Sequence, residues 1–284
     1  MKQHQGDHCM NIQRGLFSIN KKHAVWGVLG IGVIPLAFAS FPAHASQKAD
    51  SHLDQVLNSH QLRVCTTGDY TPYTFLDANQ HYQGIDVAMV QNLADSLDAR
   101  VAWQPTSWSQ LMPDMLAGKC DIAVGGISVT LPRQRQAFFS NTLDKDGKIP
   151  LVRCEDKQRY QTIEQLNQPS VTLIEPKGGT NEAFAQSKLP KAQLTYSDNV
   201  SIFDKLKNKQ ADVMITDASE ALYQQKRHPE LCALNPHQPL QYGEKAYLLP
   251  RDDSAWKSYV DQWLHLAKAD GTYQQVIEQW LAAP

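Results

Sequence analysis

The chain has 284 residues, of which 42% are hydrophobic and 20% are charged, and its formal net charge is −2. This length and composition are those of a globular protein with one large domain or two modest ones. A slightly acidic chain lacks the concentrated basic charge of nucleic-acid-binding proteins, which excludes a nucleic-acid partner.

Residues 1–45 have the order of features found in a secretory signal peptide. Basic residues in a polar start precede an apolar run from residue 24 to residue 41, and the small residues of AHA end at Ala45. The alternative is a membrane anchor, because the run is near the minimum spanning length. The glycines and Pro35 within the run favour cleavage. We therefore expect a periplasmic protein with no stable membrane anchor, translated from Met1 or, because the polar start is long, from Met10.

Cleavage after Ala45 would remove four basic residues and one acidic residue, which makes the net charge −5. Four of the five cysteines would remain: Cys65, Cys120, Cys154 and Cys232. An even number in an exported chain indicates disulfides, and four cysteines permit three pairings. Cys154 with Cys232 is preferred because both fall in the expected second lobe, whereas Cys65 and Cys120 either pair or stay free. No cysteine or histidine stands at metal-site spacing, so no metal is expected.

Predicted strands and helices alternate along the first half of the remaining chain. The predicted elements are a helix at 53–58, a strand at 62–66, a helix at 85–97, a strand at 101–104, a helix at 109–116 and a strand from Asp121. The helix at 85–97 is indicated by Ile85, Met89, Leu93 and Leu97, which recur at helical spacing. Alternation of this kind predicts a mainly parallel sheet with helical crossovers.

A second alternating unit is predicted after Pro150. Its strands are expected at 151–153, 171–174, 194–196 and 213–216, and its helices at 202–207, at 218–225 and after the glycine turn GGTNE. A strand KAYLLP and helices at 255–269 and 273–281 complete the chain. The expected fold is α/β with two lobes, each a mainly parallel sheet flanked by helices. Lobe 1 comprises 46–149 and 242–284, and lobe 2 comprises 150–241.

Two acids, Asp217 and Glu220, follow the strand at 213–216. The carboxyl ends of strands are where open α/β sheets bind ligands. A purely structural explanation is available for both acids, since Asp217 would cap the next helix and Glu220 would be a favourable first-turn carboxylate.

Residues 53–281 resemble the periplasmic solute-binding proteins for polar amino acids. The pattern TxxRxxxxxFS, at Thr130, Arg133, Phe139 and Ser140, matches the site at which that family binds a ligand carboxylate. The chain resembles the exported cyclohexadienyl dehydratases of this superfamily more closely, in TTGDY, PTSW, PRQRQ, DGK, GGTNE, TDASEA, HPELC, EKAYLLPRD and YVDQWLH. The resemblance implies a periplasmic-binding-protein-like fold of type II, which closes by hinge motion.

Enzymes of that class convert prephenate to phenylpyruvate, and arogenate to phenylalanine, with loss of water and carbon dioxide. The resemblance implies that Arg133 anchors a substrate carboxylate by two parallel hydrogen bonds and that Ser128 donates to the same group. The GGTNE turn has free N–H groups that suit an anion, so Thr180 and Asn181 would bind the substrate's other end. The stretch EPK before this turn departs from the family and leaves the position of the turn open.

The resemblance places Asp69, Tyr70 and Trp108 along the bound ligand, and aromatic walls suit the substrate's ring. The structural alternative for Trp108 is ordinary core packing. Lys148 would pair with a substrate carboxylate or hold a catalytic acid in place, and its alternative is a solvated turn lysine, the usual case for Asp-Gly-Lys.

Asp217 matches the acid with which amino-acid receptors hold an α-ammonium group, whereas Glu220 stands where receptors usually have an apolar residue. Desolvation and like charge would raise the pKa of Glu220, so that it stays protonated and acts as a general acid. The predicted function is therefore a lyase acting on prephenate and arogenate, without a cofactor, as a monomer or small homo-oligomer. The alternative is a polar amino-acid-binding protein of an ABC transporter.

Overall fold

The computed structural model describes residues 50–282, which belong to one compact unit. The expected signal peptide, its cleavage site and the choice between Met1 and Met10 lie outside these residues. No helix in the described part of the chain is long and apolar enough to cross a membrane.

The strands, in chain order, are β1 (Gln61–Thr66), β2 (Asp69–Tyr70), β3 (Thr74–Leu76), β4 (Tyr82–Gln83), β5 (Arg100–Pro105), β6 (Ile122–Ala123), β7 (Phe138–Phe139), β8 (Asp144–Arg153), β9 (Thr172–Glu175), β10 (Gln193–Tyr196), β11 (Val213–Asp217), β12 (Leu231–Ala233), β13 (Gln241–Lys245) and β14 (Leu248–Leu249). The helices are α1 (His52–Ser59), α2 (Ile85–Asp95), α3 (Leu111–Leu116), α4 (Leu131–Gln134), α5 (Ile163–Leu166), α6 (Thr180–Lys188), α7 (Ile202–Lys207), α8 (Ala218–Arg227), α9 (Ser254–Ala269) and α10 (Thr272–Ala282), with a 3₁₀ turn at Cys154–Asp156.

Two larger sheets, each flanked by helices, confirm the expected α/β class. The first has the order β5-β1-β6-β14-β7, and the second has the order β10-β9-β11-β8-β12, with β13 also paired to β8. Each contains the expected parallel strands, β5-β1-β6 and β10-β9-β11, and antiparallel strands extend both. Strands β2, β3 and β4 form a small third sheet that the sequence pattern does not indicate.

Strand β11 illustrates how the apolar runs form these sheets. Val213 and Ile215 pack in one hydrophobic cluster of the second sheet, while Met214 packs in the cluster on the opposite face. A strand covered on both faces needs apolar residues at consecutive positions, which is why VMI reads as a continuous run. The strand therefore has no solvent-facing side, and its polar residues come at its carboxyl end.

The predicted helix at 85–97 is confirmed as α2, which ends slightly earlier. Ile85, Met89, Val90 and Leu93 are buried against the first sheet, as their helical spacing predicts. Leu97 lies beyond the end of the helix but is buried in the same cluster.

Strand β8 begins at Asp144, before Pro150, where the sequence suggested a boundary. Pro150 pairs with Ile215 of β11 and its carbonyl accepts a hydrogen bond from Leu234 N (2.9 Å). In an extended strand the nitrogen and the carbonyl of one residue point to the same side, so the Pro150 nitrogen also faces the segment between β12 and β13. No paired strand lies there, so the missing N–H interrupts no strand pairing. The strand therefore passes through the proline.

The stretch KAYLLP forms parts of two strands rather than one. Lys245 ends β13 in the second sheet, and Leu248 and Leu249 form β14 in the first. Strands β8 and β13 pair with each other and carry the chain between the two sheets in opposite directions. The proposed lobe boundaries at residues 149 and 242 fall within this pair and stay a prediction.

Two disulfides link the four described cysteines. Cys154 pairs with Cys232, which confirms the preferred pair, and Cys65 pairs with Cys120. The Cys154–Cys232 disulfide joins residues 78 positions apart and connects the end of β8 to β12. In the chain-entropy model a link across so long a loop stabilises a fold by restricting the unfolded chain.

Replacing Cys154 and Cys232 together by serine should lower the free energy of unfolding by about 2–4 kcal/mol, because the long loop is no longer restricted in the unfolded state. Urea denaturation monitored by circular dichroism would measure the loss. In the wild-type chain without residues 1–45, thiol titration should find no free cysteine. Free thiols, or an unchanged unfolding energy in the double variant, would contradict the assignment.

Candidate active site

The candidate site lies where β8, β11 and β13 meet the amino-terminal ends of α6 and α8. At its centre is the carboxylate of Asp217, the last residue of β11, which is 3% exposed. Lys148 Nζ of β8 lies 2.8 Å from Asp217 Oδ1, and Lys245 Nζ of β13 lies 2.5 Å from Asp217 Oδ2. One carboxylate is therefore bound between two buried ammonium groups.

Two further groups donate to the same carboxylate. Tyr70 Oη donates to Asp217 Oδ2 at 2.8 Å, and Ser128 Oγ donates to it at 3.3 Å. Burial alone would raise the pKa of Asp217, but the ammonium groups of Lys148 and Lys245 hold that pKa well below its ordinary value. Asp217 is thus ionised throughout the physiological range.

Asp217 does not cap α8, contrary to the structural explanation available from sequence. Although it stands at the N-cap position, its side chain makes no capping hydrogen bond. Asp146 of β8 does so from outside the helix, accepting from Ser219 N (3.2 Å) and Ser219 Oγ (2.5 Å). This arrangement frees Asp217 for the lysines and fixes the helix that carries Glu220.

Glu220 is completely buried, with 0% exposure. Thr216 Oγ1 donates to Glu220 Oε2 (2.5 Å), and Asn199 Nδ2 lies 3.5 Å from Glu220 Oε1. Burial raises the pKa of Glu220 to about 8; the Thr216 hydrogen bond opposes the rise and the charge of Asp217 adds to it. The expected protonated acid is therefore present three residues after an ionised one.

Hydrogen bonds connect Lys148 to Glu220 through two intervening side chains. Lys148 Nζ donates to Asn181 Oδ1, Asn181 Nδ2 donates to Thr216 Oγ1 (3.3 Å), and Thr216 Oγ1 reaches Glu220. Lys148 Nζ also donates to Thr180 Oγ1 at 2.9 Å. Burial lowers the pKa of Lys148, and Asp217 partly offsets this. Lys148 is thus a buried member of the site and not a solvated turn lysine.

The GGTNE turn places Thr180 and Asn181 at the start of α6, within reach of Lys148. Gly178 has φ +85°, and a Cβ there would lie 2.7 Å from Ser109, so the turn requires glycine at this close approach. Glu182 accepts from Gly178 N (2.6 Å) and so stabilises the turn itself. The unusual EPK stretch therefore leaves Thr180 and Asn181 beside the other site residues.

Arg133 lies in α4, close to Ser128. Thr130 caps this helix, and Arg133 Nη1 donates to Ser128 O at 2.9 Å. Burial lowers the pKa of Arg133 to about 10, and Asp217 partly offsets this, so the guanidinium stays charged at neutral pH. Its remaining N–H groups are suited to a carboxylate.

The three expected ligand-lining residues lie near one another. Tyr70 and Trp108 make an edge-to-face contact with ring centroids 5.4 Å apart. Trp108 also packs against two hydrophobic clusters of the first sheet, so both of its expected roles are compatible with its position. Asp69 lines a neighbouring cavity of about 310 Å³ with Asn199; burial raises the pKa of its carboxyl, and hydrogen bonds from Thr67 and Trp108 oppose the rise.

Three members of the site were not predicted: Lys245, Thr216 and Asn199. Lys245 begins KAYLLP, where a lysine before an apolar run reads as a solvated strand end. Thr216 reads as the polar end of β11, and Asn199 lies in a loop after β10. Asn199 and Lys245 lie 21 and 28 residues from their partners in the site, and no sequence pattern pairs them. Thr216 stands in the TDASEA motif four residues before Glu220, so its spacing could have indicated the contact.

The space at the centre of the site is small. A cavity of about 30 Å³, lined by Ser128, Thr130, Lys148, Thr180 and Asp217 among others, is the volume of about one water molecule. No group of three or more metal-ligating side chains occurs among residues 50–282. The arrangement is a cation-rich site whose cavity is too small for a ligand of substrate size, so the site must widen to admit one.

The chain is similar in sequence or structure to three known proteins. It is 50% identical over 248 residues to the cyclohexadienyl dehydratase of Pseudomonas aeruginosa, covering 87% of this chain and 92% of that protein. The crystal structure of an ancestral cyclohexadienyl dehydratase is 43% identical, with a TM-score of 0.53, over 84% of this chain and 100% of that one. An ancestral amino acid-binding protein, a precursor of cyclohexadienyl dehydratase, is 29% identical with a TM-score of 0.74, over 81% and 100%.

The family model for bacterial extracellular solute-binding proteins, family 3, matches residues 62–283, which include every residue of the site. The chain belongs to family 3 of the bacterial extracellular solute-binding proteins.

Proposed function

We propose that the chain is a periplasmic cyclohexadienyl dehydratase that converts prephenate to phenylpyruvate and arogenate to phenylalanine. The Pseudomonas aeruginosa relative, similar over nearly its whole length, supports this activity. The proposal includes export by the signal peptide at residues 1–45 and action as a monomer or small homo-oligomer.

The main support for the proposal is the burial and protonation of Glu220. Burying an acid without an ionic partner costs stability. Glu175 is buried in the same way, and Glu220 differs from it in its position one turn after Asp217 and in its connection to Lys148 through Thr216 and Asn181. Dehydration needs a protonated acid, since the hydroxyl leaves more easily when an acid protonates it, an effect of about 10²- to 10⁴-fold. Glu220 is completely buried, and its pKa of about 8 keeps it protonated at neutral pH.

The reaction balances with this single proton. Glu220 gives its proton to the ring hydroxyl, and the C–O bond breaks to release water. The bond between the ring and its carboxylate breaks as the hydroxyl leaves, and carbon dioxide is released. The electron pair of that bond moves into the ring and completes the aromatic system. One proton from solvent then restores Glu220, so the reaction needs no external oxidant or reductant.

Cations and the glycine turn would hold the two carboxylates of the substrate. Arg133 has N–H groups suited to one of them, and Lys148 lines the small cavity with Thr180 and donates to Asn181 at the start of α6. Tyr70 and Trp108 offer aromatic surface for the ring. Lys148 is connected to Glu220 through Asn181 and Thr216, which links these binding groups to the proposed acid.

Admission of the substrate requires the two sheets and their helices to separate, because the closed cavity holds about 30 Å³. Direct hydrogen bonds across the closed cleft include Asn199 Nδ2 to Asp69 O (2.8 Å) and Gln224 Nε2 to Thr71 Oγ1 (2.8 Å). Closure would then exclude water from the reacting groups and strengthen their electrostatic interactions.

Purified chain lacking residues 1–45 should convert prephenate to phenylpyruvate, and Glu220→Gln should lower kcat by about 10²- to 10⁴-fold, because glutamine is isosteric but cannot donate the proton. The absorbance of phenylpyruvate in alkali measures the rate, and circular dichroism checks the fold of the variant.

The matched control is Glu230→Gln, the same change at an exposed position in a loop before β12, which should leave kcat unaltered. No turnover by the wild-type chain, together with tight binding of a polar amino acid, would favour the receptor alternative. Near-wild-type turnover by Glu220→Gln would remove Glu220 from the proposed role.

The kcat/KM for prephenate should be level from weakly acidic to neutral pH and fall about tenfold per pH unit above a pKa of about 8, because only protonated Glu220 is active. The fall comes with rising pH because an acid whose pKa is raised keeps its proton below that pKa. A pH profile of initial rates measures this.

Thr216→Val distinguishes Glu220 from Lys148, which also loses charge as pH rises. The valine removes a hydrogen bond that stabilises ionised Glu220, so the falling limb should move to higher pH. If the falling limb of the pH profile lies at the same pH in Thr216→Val as in the wild-type chain, the titrating group is not Glu220.

A further inference from the structure

The charge of Asp217 is already compensated within the protein. Its Oδ1 is bound by Lys148, and its Oδ2 is contacted by Lys245, Tyr70 and Ser128. Each carboxylate oxygen has two lone pairs, so Oδ2 is fully occupied and Oδ1 keeps one acceptor position beside the Lys148 ammonium. The acid that matches the ammonium-binding residue of amino-acid receptors is therefore already occupied by the chain's own groups.

The two lysines differ in their position relative to the small cavity. Lys148 lines this cavity, and its three N–H groups are directed to Asp217, Thr180 and Asn181. Lys245 is 1% exposed and does not line the cavity, and its Nζ also donates to Gly126 O (2.8 Å) and Ser128 Oγ (3.2 Å). Lys245 is thus an internal cation away from the cavity, whereas Lys148 lies at the cavity wall.

Resting on the proposed function, we infer that Lys245 is a specificity-determining residue: as a permanent counter-ion of Asp217 it removes the receptor's ammonium site and favours the 2-oxo acid substrate over the 2-amino acid substrate. Lys245 acts through Asp217 and does not touch the reacting atoms, so it is a positioning residue.

The preference for the 2-oxo acid is expected because the two substrates differ in charge. Both carry two carboxylates, but the 2-amino acid adds an ammonium group where the 2-oxo acid has a neutral carbonyl. An ammonium brought beside Asp217 would meet the ammonium groups of Lys148 and Lys245, and like charges at a buried site repel strongly. The neutral carbonyl of the 2-oxo acid avoids this repulsion.

Other acids near the site do not offer a substitute. Asp146 is occupied by Ser219 and lies 4.0 Å from Lys245, and protonated Glu220 carries no charge to attract an ammonium. Asp69 lines the neighbouring cavity of about 310 Å³ and not the small cavity that Asp217 and Lys148 line. The preference should therefore depend on the pairing of Lys245 with Asp217.

The test is Lys245→Met, which keeps the length of the side chain and removes its charge. Its ratio of kcat/KM for arogenate to kcat/KM for prephenate should rise at least about tenfold over the wild-type ratio. The rise is expected because Asp217 gains free acceptor positions and the site loses one positive charge. A purely structural role for Lys245 would lower both values by the same factor and leave the ratio unchanged.

Two variants serve as controls. Lys191→Met makes the same change at an exposed position and should keep the wild-type ratio. Lys245→Arg keeps the charge and should also stay near the wild-type ratio. A Lys245→Arg ratio as high as that of Lys245→Met would overturn the inference, because packing and not charge would then control specificity.

If Lys245→Met does not fold, the substrate preference of the wild-type chain tests the inference. The inference requires a higher kcat/KM for prephenate than for arogenate and stronger competitive inhibition by phenylpyruvate than by L-phenylalanine. A wild-type preference for arogenate overturns the inference while leaving the dehydratase function intact. Turnover of neither substrate refutes the proposed function itself.

Discussion

The site depends on one buried carboxylate held between two buried ammonium groups. Burying charges is expensive, and such a group persists only if its members satisfy one another and find further hydrogen bonds. Asp217, Lys148 and Lys245 meet this condition through Tyr70, Ser128, Thr180, Asn181 and the carbonyl of Gly126. The group retains one net positive charge, and Arg133 nearby adds another. A cleft with this charge suits a substrate that carries two carboxylates.

The same group explains how two acids three residues apart reach opposite protonation states. Asp217 points to the lysines and is ionised, whereas Glu220 points to Thr216 and Asn199, which offer hydrogen bonds but no charge. Pairs of acids separated in this way are typical of sites that need a proton donor. The buried acid has a cost, because the folded state binds its proton more tightly than the unfolded state. Stability should therefore fall as pH rises from the ordinary value of 4.5 to about 8.

Local patterns predicted most of the fold because each depends on neighbouring residues. The helical spacing of Ile85, Met89 and Leu93, the apolar run of β11 and the glycine turn before α6 are properties of single segments, and all three are present. Strand β8 was predicted too short, because the effect of Pro150 depends on which strands lie beside it. The small sheet of β2, β3 and β4 was missed because strands of two or three residues leave no periodic pattern.

Family motifs predicted many of the residues of the site. The contacts that depend on which strands lie side by side in the folded chain were not predicted. Asp217, Lys148, Asn181 and Glu220 stand in motifs, and the structure brings them together. Lys245 lies only 28 residues after Asp217, but its role arises because β13 returns beside β8 and directs a charged side chain into the interior. Lys245 also stands in a family motif, EKAYLLPRD, but a lysine before an apolar run does not indicate whether its side chain turns to the interior or to solvent.

The proposed mechanism requires Glu220 to carry a proton at neutral pH, which an NMR titration of the chain with ¹³C-labelled glutamate side chains measures. Glu220→Gln assigns the resonance, and Glu175→Gln separates it from the other buried glutamate, whose pKa burial also raises. The Glu220 carboxyl should be protonated at pH 7 and titrate near pH 8. If this carboxyl is already ionised at pH 7, with an ordinary glutamate pKa, Glu220 is not the general acid.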